Sequence, residues 1–194
     1  MKKILLILFT IVATFSLKAQ CVGVQSATVS PLGPYTGGTV ITFCYTMTGW
    51  NGLNVGNNWL EGFDINVSAG LIGVTPIAPP VNCNGGGGTW LWRTVVNTPS
   101  GTVGPGWFFE APLGGPTDGN PANDYGDFGS CTWTFCFQAT VVQGCNPLPI
   151  TAQVTAGADG DWGTWINNTC PTTPYTILNT VSNPTPVITS PIFH

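Results

Sequence analysis

The chain has 194 residues, only 6% of them charged, with 4 Lys and Arg against 8 Asp and Glu. Nucleic acid and anionic membrane surfaces both require clustered Lys or Arg, so neither is expected as a partner. The 8 Trp, 10 Phe, 26 Gly and 17 Pro argue against disorder, which lacks aromatics, and for an all-β domain with long turns.

Residues 1–20 (MKKILLILFTIVATFSLKAQ) read as a secretory signal peptide. Lys2 and Lys3 supply the positive start, residues 4–15 the apolar stretch, and residues 16–19 a polar end with a small residue at the cut. The apolar run is shorter than the roughly 20 residues that span a bilayer, so no membrane insertion is expected after cleavage. Gln20 stands before Cys21 where a lipobox requires a small residue, which argues against lipidation. With the leader gone, Arg93 is the only Lys or Arg, and the single histidine is His194. That leaves no lysine for Schiff-base chemistry and no credible imidazole base or triad. Seven cysteines behind a leader predict disulfides formed in an oxidising compartment, with one thiol left over.

Residues 21–29 alternate loosely and predict an edge strand, followed by a turn cluster over 30–38. Residues 39–48 predict a clear strand, with Ile41, Phe43, Tyr45 and Met47 on one face and Thr42, Cys44, Thr46 and Thr48 on the other. Residues 59–67 alternate again, with Phe63, Ile65 and Val67 opposite Leu60, Gly62, Asp64 and Asn66. The stretch 68–88 reads as irregular. Its four glycines, 85–88, lack the Lys-Ser/Thr of a phosphate loop. Residues 89–96 predict a strand carrying Trp90 and Trp92 on one side.

The most informative stretch is 104–137. It opens on Trp107-Phe108-Phe109, passes through a loop crowded with Gly, Pro, Asn and Asp, and ends in a strand over 131–138. There Cys131, Trp133, Phe135 and Phe137 share one face, and Thr132, Thr134, Cys136 and Gln138 the other. Period-two alternation with aromatics on one side marks a half-buried central strand. Its Thr134-Phe-Cys-Phe-Gln138 echoes Thr42-Phe-Cys-Tyr-Thr46, and neighbouring strands in register would bring Cys44 and Cys136 within disulfide reach. Residues 150–156 and 175–181 predict two more strands, with an acidic turn at 157–163. Cys145 and Cys170 bracket that unit as plausible partners, as Cys83 and Cys131 are of each other. The chain thus divides into a leader (1–20), one β-sandwich domain (21–181) and a Pro-rich tail or linker (182–194). The strand pattern predicts an antiparallel two-sheet sandwich, jelly-roll or immunoglobulin-like.

Three chemistries are candidates. The loop 118–127 offers Asp118, Asn120, Asn123, Asp124 and Asp127, an oxygen set suited to Ca2+, although its spacing departs from an EF-hand. The bland alternative is a solvated turn whose Asx side chains bond their own backbone. Trp107, Trp162 and Trp165 lie near glycine-rich turns, where exposed rings would stack on sugars, giving a carbohydrate-binding alternative; Trp50 is grouped with them for exposure. Glu61 and Glu110, the only glutamates, raise a glycan-active hydrolase, but Glu61 and Asp64 are three apart and so predicted on opposite strand faces. Arg93 is expected to serve one of the acids.

The leader ending Lys18-Ala19-Gln20, with the segments 104–110, 118–124, 131–137 and 159–165, resembles an N-terminal module of large secreted and cell-surface proteins of the Bacteroidetes, associated with gliding motility and type IX secretion. The resemblance implies an extracellular β module, often followed by further domains. The combined expectation is a secreted or cell-surface structural or adhesive module, non-catalytic and calcium-stabilised. Its partners would be other surface-protein domains or extracellular glycans.

Overall fold

A computed structural model describes residues 22–50, 59–83, 87–111, 119–127, 132–144, 148–163 and 173–181. Two antiparallel sheets pack face to face. The first has the order β1 (Val22–Ser30), β2 (Val40–Trp50), β9 (Thr132–Val141) and β4 (Leu71–Ala78). The second has the order β11 (Thr173–Val181), β10 (Pro149–Ala158), β3 (Leu60–Val67), β8 (Gly106–Glu110) and β5 (Thr89–Arg93). A small hairpin, β6 (Val96–Thr98) and β7 (Gly101–Val103), lies beside them. The expected all-β antiparallel sandwich is therefore the observed architecture.

Strand β9 fixes the interior. Trp133, Phe135, Phe137, Ala139 and Val141 are buried, while Thr132 and Thr134 face water. Strand β2 repeats the pattern with Ile41, Phe43, Tyr45 and Met47. The sheets meet through aromatic rings. Phe135 lies on Phe63 of the opposite sheet with centroids 4.2 Å apart and planes 4° from parallel, and Tyr45 stacks on the other side of that layer at 4.9 Å from Phe63. Trp90 meets Phe135 edge-on at 5.1 Å, the offset arrangement that ring quadrupoles favour.

On the outer face of the first sheet, β2 and β9 pair so that Cys44 stands directly opposite Cys136. The two form a disulfide with Cα atoms 4.2 Å apart, as expected from the echoed motif. Thr46 and Thr134 continue that face with a hydroxyl–hydroxyl hydrogen bond of 3.1 Å. Cys83 is disulfide-bonded as well. Its expected partner Cys131, the pair Cys145 and Cys170, and Cys21 lie outside the described residues.

The structure departs from the sequence reading in three places. The stretch 68–88 is not wholly irregular: it contains β4, an edge strand paired only with β9. Pro76 sits there without costing a central ladder bond, and register shifts on either side accommodate it. The strand expected over 89–96 breaks between Arg93 and Val96 into β5 and β6. The acidic turn at 157–163 winds into one helical turn, α1 (Asp159–Trp162).

The disulfide closes a long loop, with a sequence separation of 92. Replacing Cys44 and Cys136 together by Ala is expected to lower stability by about 4 kcal/mol, chiefly through the freed unfolded chain. Denaturant unfolding of the double variant against the oxidised parent measures the loss.

Candidate functional site

Five carboxylates are buried: Glu61, Glu110, Asp124, Asp127 and Asp159. Arg93 is the only cation among the described residues, and its Nη2 donates to the carbonyl of Gly119 at 2.9 Å instead of pairing with an acid. A carboxylate away from water is costly unless donors or opposite charge compensate it. The five acids meet that requirement in different ways.

Asp127 is compensated by N–H donors. Its Oδ2 accepts from the indole nitrogens of Trp133 at 2.8 Å and Trp90 at 3.2 Å, and from the backbone nitrogen of Cys83 at 2.9 Å. Its own backbone bridges to Leu60 in both directions, at 2.8 and 3.1 Å. One residue thus ties β9 and β5 through its carboxylate and β3 through its backbone at the loop end of the core. Asp127, expected from the sequence as a calcium ligand beside Asp124, has its Oδ2 occupied by protein donors in this structure. The two carboxyl groups turn to different surroundings, Asp124 Oδ2 accepting from the backbone nitrogen of Ala111 at 2.9 Å. Asn120 is exposed, and Asn123 is half-buried within a single 3-10 turn (Pro121–Asn123). Asp118 lies outside the described residues.

A second group of acids gathers on the outer side of the second sheet. Its origin is a bulge. Gly157 of β10 pairs with Gly62 of β3, but the next residue, Ala158, pairs with Leu60. The skipped residue is Glu61. Leu60 and Phe63 consequently both enter the main core, while Gly62 and Glu61 turn the other way. Bulges characteristically re-aim a side chain in this manner. Strict alternation had placed Glu61 opposite Asp64 and on the side of Phe63, and the extra residue is what changes the outcome.

The outer side is roofed by Trp162 of α1. Its indole lies over Gly62 and Gly157, neighbours across β3 and β10, where a Cβ on either would collide with the ring. Phe108 completes this small second core, with ring centroids 6.0 Å from Trp162, and Val96 is buried with them. Glu61, Glu110, Asp124 and Asp159 surround its edge. Burial pushes the Glu61 carboxyl well above its ordinary value, and the charges of Asp159, Asp124 and Glu110, in that order, push it further. Asp159 is raised to about 7 by burial, against the lowering effect of backbone donors such as the Trp59 nitrogen, 3.1 Å from Oδ1. Both oxygens of Glu61, Oδ2 of Asp159 and Oε2 of Glu110 are buried without a hydrogen-bond partner, whereas Glu110 Oε1 accepts from the Gly119 nitrogen at 2.9 Å. Among the described residues, no three Cys, His, Asp or Glu side chains already converge in ion-binding geometry.

Of the tryptophans expected on exposed loops, Trp50, Trp107 and Trp162 are instead interior. Trp107 and Trp162 are each 4% exposed and Trp50 is 6% exposed. Trp107 belongs to β8, which is buried on both faces, and meets Trp92 edge-on at 5.5 Å. Neither Trp107 nor Trp162 presents an open face to a sugar, and Trp165 lies outside the described residues. No family model matches the chain, and no curated protein and no solved structure is significantly similar to it.

Two outcomes follow from the buried acids. Asp127→Ala leaves two indole N–H groups buried without their acceptor and is expected to cost about 3 kcal/mol or more in denaturant unfolding. The raised acids have the opposite sign from a salt-bridged carboxylate. Folded Glu61 and Asp159 keep protons that the unfolded chain releases near 4.5 and 3.8, so their contribution worsens as pH rises from there toward about 7. In buffer free of divalent cations, the melting temperature should fall between pH 5 and pH 7.5, and Glu61→Gln should flatten that slope. A melting temperature that rises across the window in the parent would contradict the assignment.

Proposed function

We propose that the chain is a secreted or cell-surface β-sandwich module with a structural or adhesive role and no catalytic activity, of the kind found in Bacteroidetes surface proteins. The observation that carries this reading is the Cys44–Cys136 disulfide on the outer face of the first sheet, accompanied by a second bonded cysteine, Cys83. Such cross-links persist in oxidising compartments and are rare in a reducing cytosol. The leader-like residues 1–20 fit the same destination.

A non-catalytic role is supported by how the acids are used. Two-carboxylate hydrolysis requires a pair of acids flanking a substrate cleft. Here Glu61 and Glu110 are both buried, under Trp162 and the loop at Gly119. Adhesion through neighbouring surface-protein domains fits better than sugar stacking on Trp107 or Trp162, since both rings are interior.

Protease shaving of intact producing cells, followed by non-reducing peptide mass spectrometry, tests the proposal. Peptides from 21–181 should appear in the released fraction with Cys44 linked to Cys136. Recovery only from the cytosol, with Cys44 alkylatable, would contradict it, and sustained turnover of a polysaccharide by the purified chain would replace the structural role with an enzymatic one.

A further inference from the structure

The carboxylate group beside α1 has a feature that a proton-sharing cluster does not need. Gly163 closes α1, and a Cβ built on it would stand 2.6 Å from the carbonyl oxygen of Asp124 and 3.0 Å from Glu61 Oε2. Two oxygens of different elements thus crowd the side of Gly163 where a side chain would stand. Glu61 is fully buried, and neither of its oxygens has a hydrogen-bond partner. Two further buried oxygens in the same neighbourhood, Asp159 Oδ2 and Glu110 Oε2, also lack one. Arg93, the one cation among the described residues, has its Nη2 on the Gly119 carbonyl.

We propose that Glu61, Asp124 and Asp159, with the Asp124 carbonyl and with Glu110 behind them, form a binding site for one hard divalent cation, Ca2+, seated beside Gly163. Several carboxylates and a backbone carbonyl on irregular backbone suit Ca2+, which takes six to eight oxygens at about 2.3–2.6 Å in flexible geometry. Mg2+ demands a smaller octahedron and retains its waters, so it fits poorly. Seating the ion draws the Asp124 and Asp159 carboxyl groups toward the Asp124 carbonyl and Glu61 Oε2, which already lie close together beside Gly163. Of the loop's Asx residues only Asp124 enters this site: Asn120 stays exposed and Asp127 stays on its two indoles. The site stands or falls independently of where the module is displayed.

The test uses the full chain stripped with EDTA and dialysed into metal-free buffer at pH 7.5. Calcium chloride should raise the melting temperature by roughly 5–10 °C once calcium exceeds its Kd a hundredfold, and magnesium chloride should do so far less. Terbium should give luminescence sensitised through Trp162, whose ring borders the site, and calcium should displace it. Glu61→Gln imitates the protonated acid, so it should fold at least as stably without metal yet bind calcium at least tenfold more weakly. Gly163→Ala, whose methyl group would press on both the Asp124 carbonyl and Glu61 Oε2, should lose binding too. Asp161→Asn, on the same turn but outside the group, should retain it. No thermal shift and no displaceable terbium signal up to about 5 mM calcium, above the range of extracellular calcium modules, would overturn the proposal. Parent-like affinity in both Glu61→Gln and Gly163→Ala would overturn it equally.

Discussion

A carboxylate removed from water must find N–H donors, a proton or a cation, and this requirement organises the loop end of the sandwich. Asp127 is held by donors: two indoles and a backbone amide converge on one of its oxygens, from β9, β5 and the segment before β5. Neither oxygen of Glu61 has a donor, and burial outweighs the backbone donors of Asp159, so both acids retain protons above their ordinary range. Buried carboxyl groups therefore serve as a fixed strut on the inner side of the second sheet and as protonated groups on its outer side.

The aromatic interior makes that division possible. Phe63 between Phe135 and Tyr45 locks β3 against the first sheet, and Trp90 and Trp133 bring their N–H groups to the rim where Asp127 enters. Because Leu60 must also enter this core, the residue between it and Gly62 is extruded, and Glu61 is turned to the other side. Trp162 can lie over that bulge only because Gly62 and Gly157 offer no side chains beneath it. Core packing and the acidic group are thus two consequences of one irregularity in β3.

Much of the fold was legible in the sequence. The alternation in β2 and β9 identified the inward residues, and the echo between them identified the Cys44–Cys136 register. Strand β4 was hidden because an edge strand with Pro76 and two register shifts carries little periodicity, only Leu71 among its residues being fully buried. The tryptophans were misplaced for a related reason. Proximity to glycine-rich turns suggested exposure, but β6, β7, α1 and the 3-10 turn cover the outer side of the second sheet, so β8 is buried on both faces. The acids of the loop were visible as a group, but their division was not. It depends on which indoles reach Asp127 and on one skipped residue in β3, neither of which has a local signature.

The disulfide and the buried aromatic layer make a cross-linked β-sandwich, and the acids beside α1 are a chemically distinctive feature among the described residues. Whether those acids exist to hold a metal is decided most directly by diffraction from crystals grown in calcium chloride, with anomalous data collected at long wavelength. The account predicts a single anomalous peak beside Gly163, within bonding distance of the Asp124 carbonyl and a Glu61 oxygen. A well-ordered structure with no peak there, and with the Glu61 carboxyl hydrogen-bonded to Asp159 or Asp124 in the presence of calcium, would contradict it.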